Sequence, residues 1–377
     1  SGSLWKTAAI CHGLAKGAAP PKCSTAAGAA EGAAAGATAG GAGAGAGSTE
    51  EEFVSRSRYL PESYDELLGD AVRSARAAMR DGLRMLDVEF PPLGSNSSEY
   101  NAKGDDFIES NLVLALSFAG RLNEATGQTV RVVVPDFVEL DRLEDEKRNT
   151  LETLRGRVSL GSLSEGGGLQ ANLQEAVFGK RGLASFWAGE GFKLGEGGVA
   201  GAKVEEDIII CINASAIELP DIRRYHEQYG QDKVFMLFNL QLETLRADLG
   251  LIGFPPRSLH NEFFTRFRSI FFLRNRQYSK SVNVPPFLIN YSGALFREYP
   301  GPWQVMLRQD DGSLVCVAED DIRFTLGEAK YELMEAMGLR TEEKGSTMEF
   351  LRRGYKQGTW WEEAAGSEVE ASTEWRS

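Results

Sequence analysis

Apolar positions follow two different rhythms along this chain of 377 residues, and the change of rhythm divides it. From residue 58 to about residue 239, helical spacing alternates with short, continuous β-branched runs. Leu67, Leu68, Ala71, Val72, Ala75, Ala78 and Met79 recur at three- and four-residue intervals behind Ser63-x-x-Glu66, the spacing of a capping box, and Gly82 supplies a stop. Residues 84–90 predict a strand closed by Pro91-Pro92. A second amphipathic helix is predicted over 107–122, a buried strand over 130–134 and a charged helix over 140–154. A strand over 158–163 follows, with another over 183–188 inside a glycine-rich stretch. Ile208-Ile209-Ile210-Cys211-Ile212 is the clearest buried strand in the chain. A helix over 220–229 with Gly230 at its stop and a strand over 234–238 complete this part.

Beyond Asn239 the helical spacing thins out. Residues 270–273, 286–291, 294–298, 304–307 and 314–317 predict short strands in succession, with Asp310-Asp311-Gly312 as a hairpin turn. Thr325-x-x-Glu328 caps a last helix that Gly338 ends. Alternating strands and helices imply parallel βαβ units. The expected fold is therefore α/β: a mainly parallel, Rossmann-like three-layer sheet with an antiparallel C-terminal extension and a closing helix.

Composition trims the domain at both ends. Residues 1–52 are largely Ala, Gly, Ser and Thr, with Lys6, Lys16 and Lys22 and almost no acid before residue 50. Such a segment buries too little side chain to offset its ordering entropy, and its acid-poor character suits an organelle transit peptide. The folded domain is expected over 58–340. Residues 341–377 are expected to form a C-terminal helix and an acidic, disordered tail.

The net charge of −13 opposes bulk nucleic-acid binding. Arg266, Arg268, Arg274, Arg276 and Lys280 surround one apolar run and read as a solvated strand edge. The four cysteines form no C-x-x-C pair and the three histidines are scattered, which argues against zinc and redox motifs. No apolar run reaches the roughly 18 residues a membrane helix needs.

Candidate chemistry is sparse. The glycines between 189 and 198 lead into no helix, and Gly201-Ala202-Lys203 lacks the Ser or Thr of a phosphate loop. Adjacent acids at 205–207, 310–311 and 320–321 read as turn residues, and no nucleophile elbow is present. His226 reads as part of an exposed helical face and His260 as structural. No catalytic residue, cofactor or metal is assigned. If the strands are parallel neighbours, Asp136, Asn213, Ser215 and Asn239 follow their carboxyl ends and form a candidate small-ligand pocket, against the plainer reading of caps and turns. A second candidate is the aromatic–proline corner, where Arg297, Tyr299 and Trp303 offer the residue types that anchor protein interfaces, against a reading of Trp303 as core.

Several short motifs occur together and in order. They are Leu60-Pro61-x-Ser63-Tyr64, Asp87-Val88-Glu89-Phe90-Pro91-Pro92, Pro135-Asp136, Asn239-x-Gln241-Leu242 and Glu262-Phe263-Phe264. The last is Gly293-x-x-Phe296-Arg297-x-Tyr299-Pro300-Gly301-x-Trp303-Gln304-Val305. In these the chain resembles the plastid and cyanobacterial family called domain of unknown function 1995, over about residues 58–340. The resemblance implies a chloroplast protein of the stroma or the stromal face of the thylakoid. It implies a non-enzymatic role in photosystem II assembly or accumulation, with a photosystem subunit or assembly factor as partner. The same domain follows adenylate kinase in some plastid proteins, which implies as one alternative a regulatory module of such a kinase; the candidate pocket leaves open another, a small-ligand or nucleotide-binding α/β protein, with an enzyme among the options. The resemblance carries no catalytic residues.

Overall fold

A computed structural model describes residues 55–91, 104–166, 203–279, 291–339, 345–347 and 358–377. The expected strand at 183–188 and all but Tyr291 of the one at 286–291 lie outside these residues, as does the leader up to residue 54.

The first part builds β1 (Arg58–Tyr59), α1 (Tyr64–Arg80), β2 (Met85–Glu89), α2 (Gly104–Thr126) and β3 (Val130–Val134). The Ser63 side chain accepts from the Glu66 N–H and starts α1, as the spacing predicts. The charged stretch after β3 forms two helices rather than one, α3 (Phe137–Glu146) and α4 (Arg148–Thr153), broken at Lys147. β4 (Val158–Ser162), β5 (Ile208–Cys211), α5 (Leu219–Tyr225) and β6 (Val234–Phe238) follow. α5 runs on through a π-helical turn to Gly230, where an added Cβ would press to 2.8 Å on the Phe235 ring.

α6 (Leu242–Asp248) and α7 (Ser258–Glu262) lie between β6 and β7 (Arg268–Ser279). β8 (Tyr291–Glu298), β9 (Trp303–Arg308), β10 (Leu314–Asp320), α8 (Leu326–Ala336) and α9 (Trp360–Glu363) complete the order. α8 has the full Thr325–Glu328 capping box that its sequence predicts.

All ten strands join one sheet in the order β1-β10-β9-β8-β7-β2-β6-β5-β3-β4. From β7 to β4 every pairing is parallel, and from β7 to β1 every pairing is antiparallel. The mixed sheet of the sequence reading is therefore present, with Ile208–Cys211 in its interior. Gly293 sits where β8 crosses β9 so closely that a Cβ would lie 2.1 Å from the Met306 carbonyl oxygen.

The faces are covered by direction of travel. Connections from β2 to β3 and from β3 to β4 run one way, and α1 to α4 pack that face around Leu86, Val88, Val132, Ile210 and Met236. The return connections run the other way and place α5, α6 and α7 on the opposite face, around Ile209, Phe235, Leu237 and Phe264. α8 covers the antiparallel strands through Leu333 and Met334. Opposite travel on opposite faces is what right-handed crossovers require.

One expectation fails at the C-terminal end. Residues 358–377 are not a disordered acidic tail but pack against the sheet's return face. Trp361 and Trp375 are buried. The Ala371 N–H donates to the Asn261 carbonyl at 2.8 Å, and the Arg323 N–H to the Arg376 carbonyl at 2.7 Å. Acidic composition points to disorder only where apolar side chains are lacking. Three tryptophans, at 360, 361 and 375, supply the area that composition alone does not reveal.

Candidate functional site

The carboxyl ends of β2 and β6 lie side by side, yet the chain leaves β2 toward β3 and leaves β6 toward β7. Open α/β sheets bind ligands at such a reversal. Here the backbone is also strained. The three non-glycine residues with positive φ among the described residues are Asn213 (57°), Asn239 (51°) and Gln241 (52°), all just beyond β5 or β6. Conformations of this kind persist only where surrounding contacts hold them. Asn239 is held by its side-chain oxygen, which accepts from the Phe90 N–H at 2.9 Å.

β2 supplies the first charged groups. It is covered on both faces, and a strand so placed is normally apolar throughout. Leu86, Val88 and Phe90 obey this on one face. Asp87 and Glu89 alternate to the other face and keep only 4% exposure each. Buried carboxylates must be paired or neutral, and three segments converge here: β7, α6 and the stretch beyond β10. Arg274 of β7 pairs with Glu89 and donates to Glu243 of α6 at 2.7 Å. Arg276, two residues along β7, and Arg323, beyond β10, pair with the same Glu243. Thus one carboxylate is gripped by three guanidinium groups. The Ser269 hydroxyl donates to Asp87 at 3.0 Å.

Arg246 lies one turn after Glu243 and is buried, with its guanidinium 5.4 Å from the Trp375 ring centre. Its Nε, Glu89 Oε2 and both ring nitrogens of His260 are buried without a hydrogen-bond partner among the described residues. The His260 ring stands edge-on to Trp360 and Trp375, with centroids 5.3 and 5.5 Å away.

This environment moves the titrations apart. Burial, reinforced by Glu89, pushes Asp87 up to about 7, against the pull of Arg246 and Arg323. Burial and Arg323 bring Arg246 down to about 9. Burial, then Arg246 and Arg323, bring His260 down to about 2, so its imidazole is neutral. Burial thus disfavours the charged form of all three groups, the Asp87 carboxylate and the two cations alike.

A pH prediction follows for Asp87. The free side chain loses its proton near 3.8 and the folded one near 7. The folded state binds the extra proton between these values. The stabilising contribution is full below the lower value, declines as pH rises, and is gone above the higher one. Asp87→Asn keeps a partner for Ser269 and does not titrate. Relative to the parent, its unfolding free energy is expected to rise by up to about 4 kcal/mol from roughly pH 4 to pH 8. Urea titrations across that range check it, and pH profiles that stay parallel contradict it.

The residues singled out in the sequence are placed as follows. Asp136 caps α3, accepting from the Glu139 N–H at 2.8 Å. Asn213 donates to Glu139 at 3.2 Å and accepts from Asn111 at 2.8 Å, so the ends of β3 and β5 do meet. Ser215 pairs locally with Glu218. Asn239 faces β2 instead. At the corner, Trp303 is fully buried against Phe272, with Arg297 and Arg323 over its ring at 5.2 and 5.1 Å. Arg297 is buried too and donates to the Ser377 carbonyl. Only Tyr299 remains partly exposed, donating to Asp81 at 2.7 Å. Arg297 and Trp303 therefore form core, not an exposed docking surface. Arg274 and Arg276 are likewise no freely solvated strand edge, since β7 runs past the end of β2 and pairs both with the buried Glu243, leaving them only partly exposed. His226 is not exposed either, packing edge-on to Phe235 and Phe263.

The loop between α6 and α7 was not singled out in the sequence. Its inner flank carries Arg246 and His260, while Leu251, Ile252 and Phe254 stand exposed at its tip. The tip is ordered by hydrogen bonds from Gly250 to the Pro255 carbonyl (2.8 Å) and from Phe254 to the Leu251 carbonyl (3.1 Å). Three exposed apolar side chains within four residues, Leu251, Ile252 and Phe254, between Gly250 and Pro255-Pro256, were the signal available. No helix among the described residues is long and apolar enough to cross a membrane.

The model of a family described as domain of unknown function (DUF1995) matches residues 61–331. No curated protein and no solved structure matches the chain.

Proposed function

We propose that this chain, which belongs to the DUF1995 family, is a non-enzymatic binding protein of the chloroplast. It acts in the stroma or on the stromal face of the thylakoid and holds a photosystem II subunit or assembly intermediate. The ordered apolar tip at Leu251, Ile252 and Phe254 carries this reading. Exposed apolar side chains on a fixed turn lose little further freedom on docking, so their burial goes largely into affinity. Resemblance to photosystem assembly factors supplies the compartment and the kind of partner. The tip replaces the aromatic corner as the contact surface, because Arg297 and Trp303 are committed to the core.

The test is co-migration with thylakoid complexes on native gels, comparing the parent with Ile252→Asp. Ile252 is fully exposed, so folding is expected to be unchanged while association weakens at least about tenfold. A protein found only as a free stromal monomer, in darkness and in light, would overturn the reading. So would an Ile252→Asp variant that co-migrates like the parent. Flotation with protein-free thylakoid-lipid vesicles would reassign the tip to lipid.

A further inference from the structure

We propose that the arginine cluster beyond the carboxyl end of β2, carried by β7 and the segment after β10, binds a small phosphorylated molecule, with Arg274, Arg276 and Arg323 as the phosphate-holding residues. Three guanidinium forks from two separate elements converge on one carboxylate, Glu243. A single carboxylate has two oxygens, and Arg274 also reaches Glu89. The five N–H groups of each fork far exceed what these oxygens can accept. A phosphate group adds three acceptor oxygens and up to two negative charges, which fits planar forks arriving from different directions.

The forks are also preset. Arg274 lies over the Phe272 ring at 5.7 Å, and Arg323 over Phe272 at 4.8 Å and Trp303 at 5.1 Å. Stacking fixes the guanidinium planes and leaves their edges for oxygen. The buried, unpartnered Nε of Arg246 is a further donor within the same cluster.

Charge agrees with this assignment. Four carboxylates, Asp87, Glu89, Glu243 and Glu362, act on four guanidiniums, Arg246, Arg274, Arg276 and Arg323. Glu362 spends its oxygens on the Leu326 and Thr359 N–H groups. Asp87 is half neutral near pH 7, so positive charge is in excess. Arg276 keeps 24% and Arg274 15% of its side chain exposed, which gives the cluster a rim that solvent reaches.

The experiment is thermal unfolding of the full chain in inorganic phosphate against sodium chloride at matched ionic strength. A rise in melting midpoint of at least about 3 °C is expected with phosphate. In Arg276→Gln, at the exposed rim, that rise is expected to fall by at least half. Should this variant unfold, Arg276→Lys keeps the charge, loses the fork, and is expected to bind phosphate about tenfold more weakly by calorimetry. A larger shift with glycerol phosphate than with inorganic phosphate identifies a phosphate ester as the natural form. The reverse identifies free phosphate. No shift beyond chloride, an undiminished shift in Arg276→Gln, or an equal shift with malonate overturns the proposal. The apolar tip plays no part in these measurements, so their outcome is independent of partner docking.

Discussion

Glu243→Gln is expected to lose about 3–5 kcal/mol of unfolding free energy, more than any substitution on the surface of this protein. Glu243 is 7% exposed and is the shared partner of Arg274, Arg276 and Arg323. The amide keeps the shape and one acceptor oxygen but removes the charge. Three guanidiniums then repel one another in a medium of low dielectric, with Glu89, Glu362 and a half-protonated Asp87 left to balance them. Urea denaturation at neutral pH measures the loss. Phosphate added to the variant is expected to recover part of it, because an anion can occupy the position the carboxylate leaves. A variant within about 1 kcal/mol of the parent would mean that solvent, not burial, governs these charges.

Trp303→Ala is expected to cost about 3–5 kcal/mol as well, through a different mechanism. The indole is fully buried, meets Phe272 edge-on at 5.4 Å, and is flanked by Arg297 and Arg323. Truncation leaves a cavity beneath two cations and removes their aromatic partner. Trp303→Phe separates packing from hydrogen bonding. Nε1 has no acceptor among the described residues, so Phe is expected to restore most of the stability. Equal losses for Ala and Phe, read from thermal and urea unfolding, would instead assign the indole N–H a hidden partner.

Much of the architecture was legible in residue order. The largely apolar runs at 130–134, 208–212 and 234–238 are buried strands, and the Ser63 and Thr325 caps start their helices. These signals are local, and local chemistry decides them. The charged cluster was illegible for the opposite reason. Asp87-Val88-Glu89 alternates as a half-solvated strand would, and Arg274-x-Arg276 alternates as an exposed edge would. Only strand order, with β2 in the interior and β7 extending past it, turns those alternations inward. Strand order is a long-range property that no window of sequence contains. The tail was misread on composition, since Trp375 finds its pocket beside His260, more than a hundred residues away. At the corner, the aromatic and Arg residues that could anchor an interface are equally those that fill a core, and burial decided between them.

β7 belongs to two sets of strands at once, parallel to β2 on one edge and antiparallel to β8 on the other. Cutting the chain on either side of it would leave one fragment with a long row of unanswered amides and carbonyls, open to any other extended peptide. The two halves are thus inseparable as fragments. Denaturation among the described residues should proceed as a single cooperative event, and an attempt to express one half alone should yield aggregate rather than a smaller soluble protein.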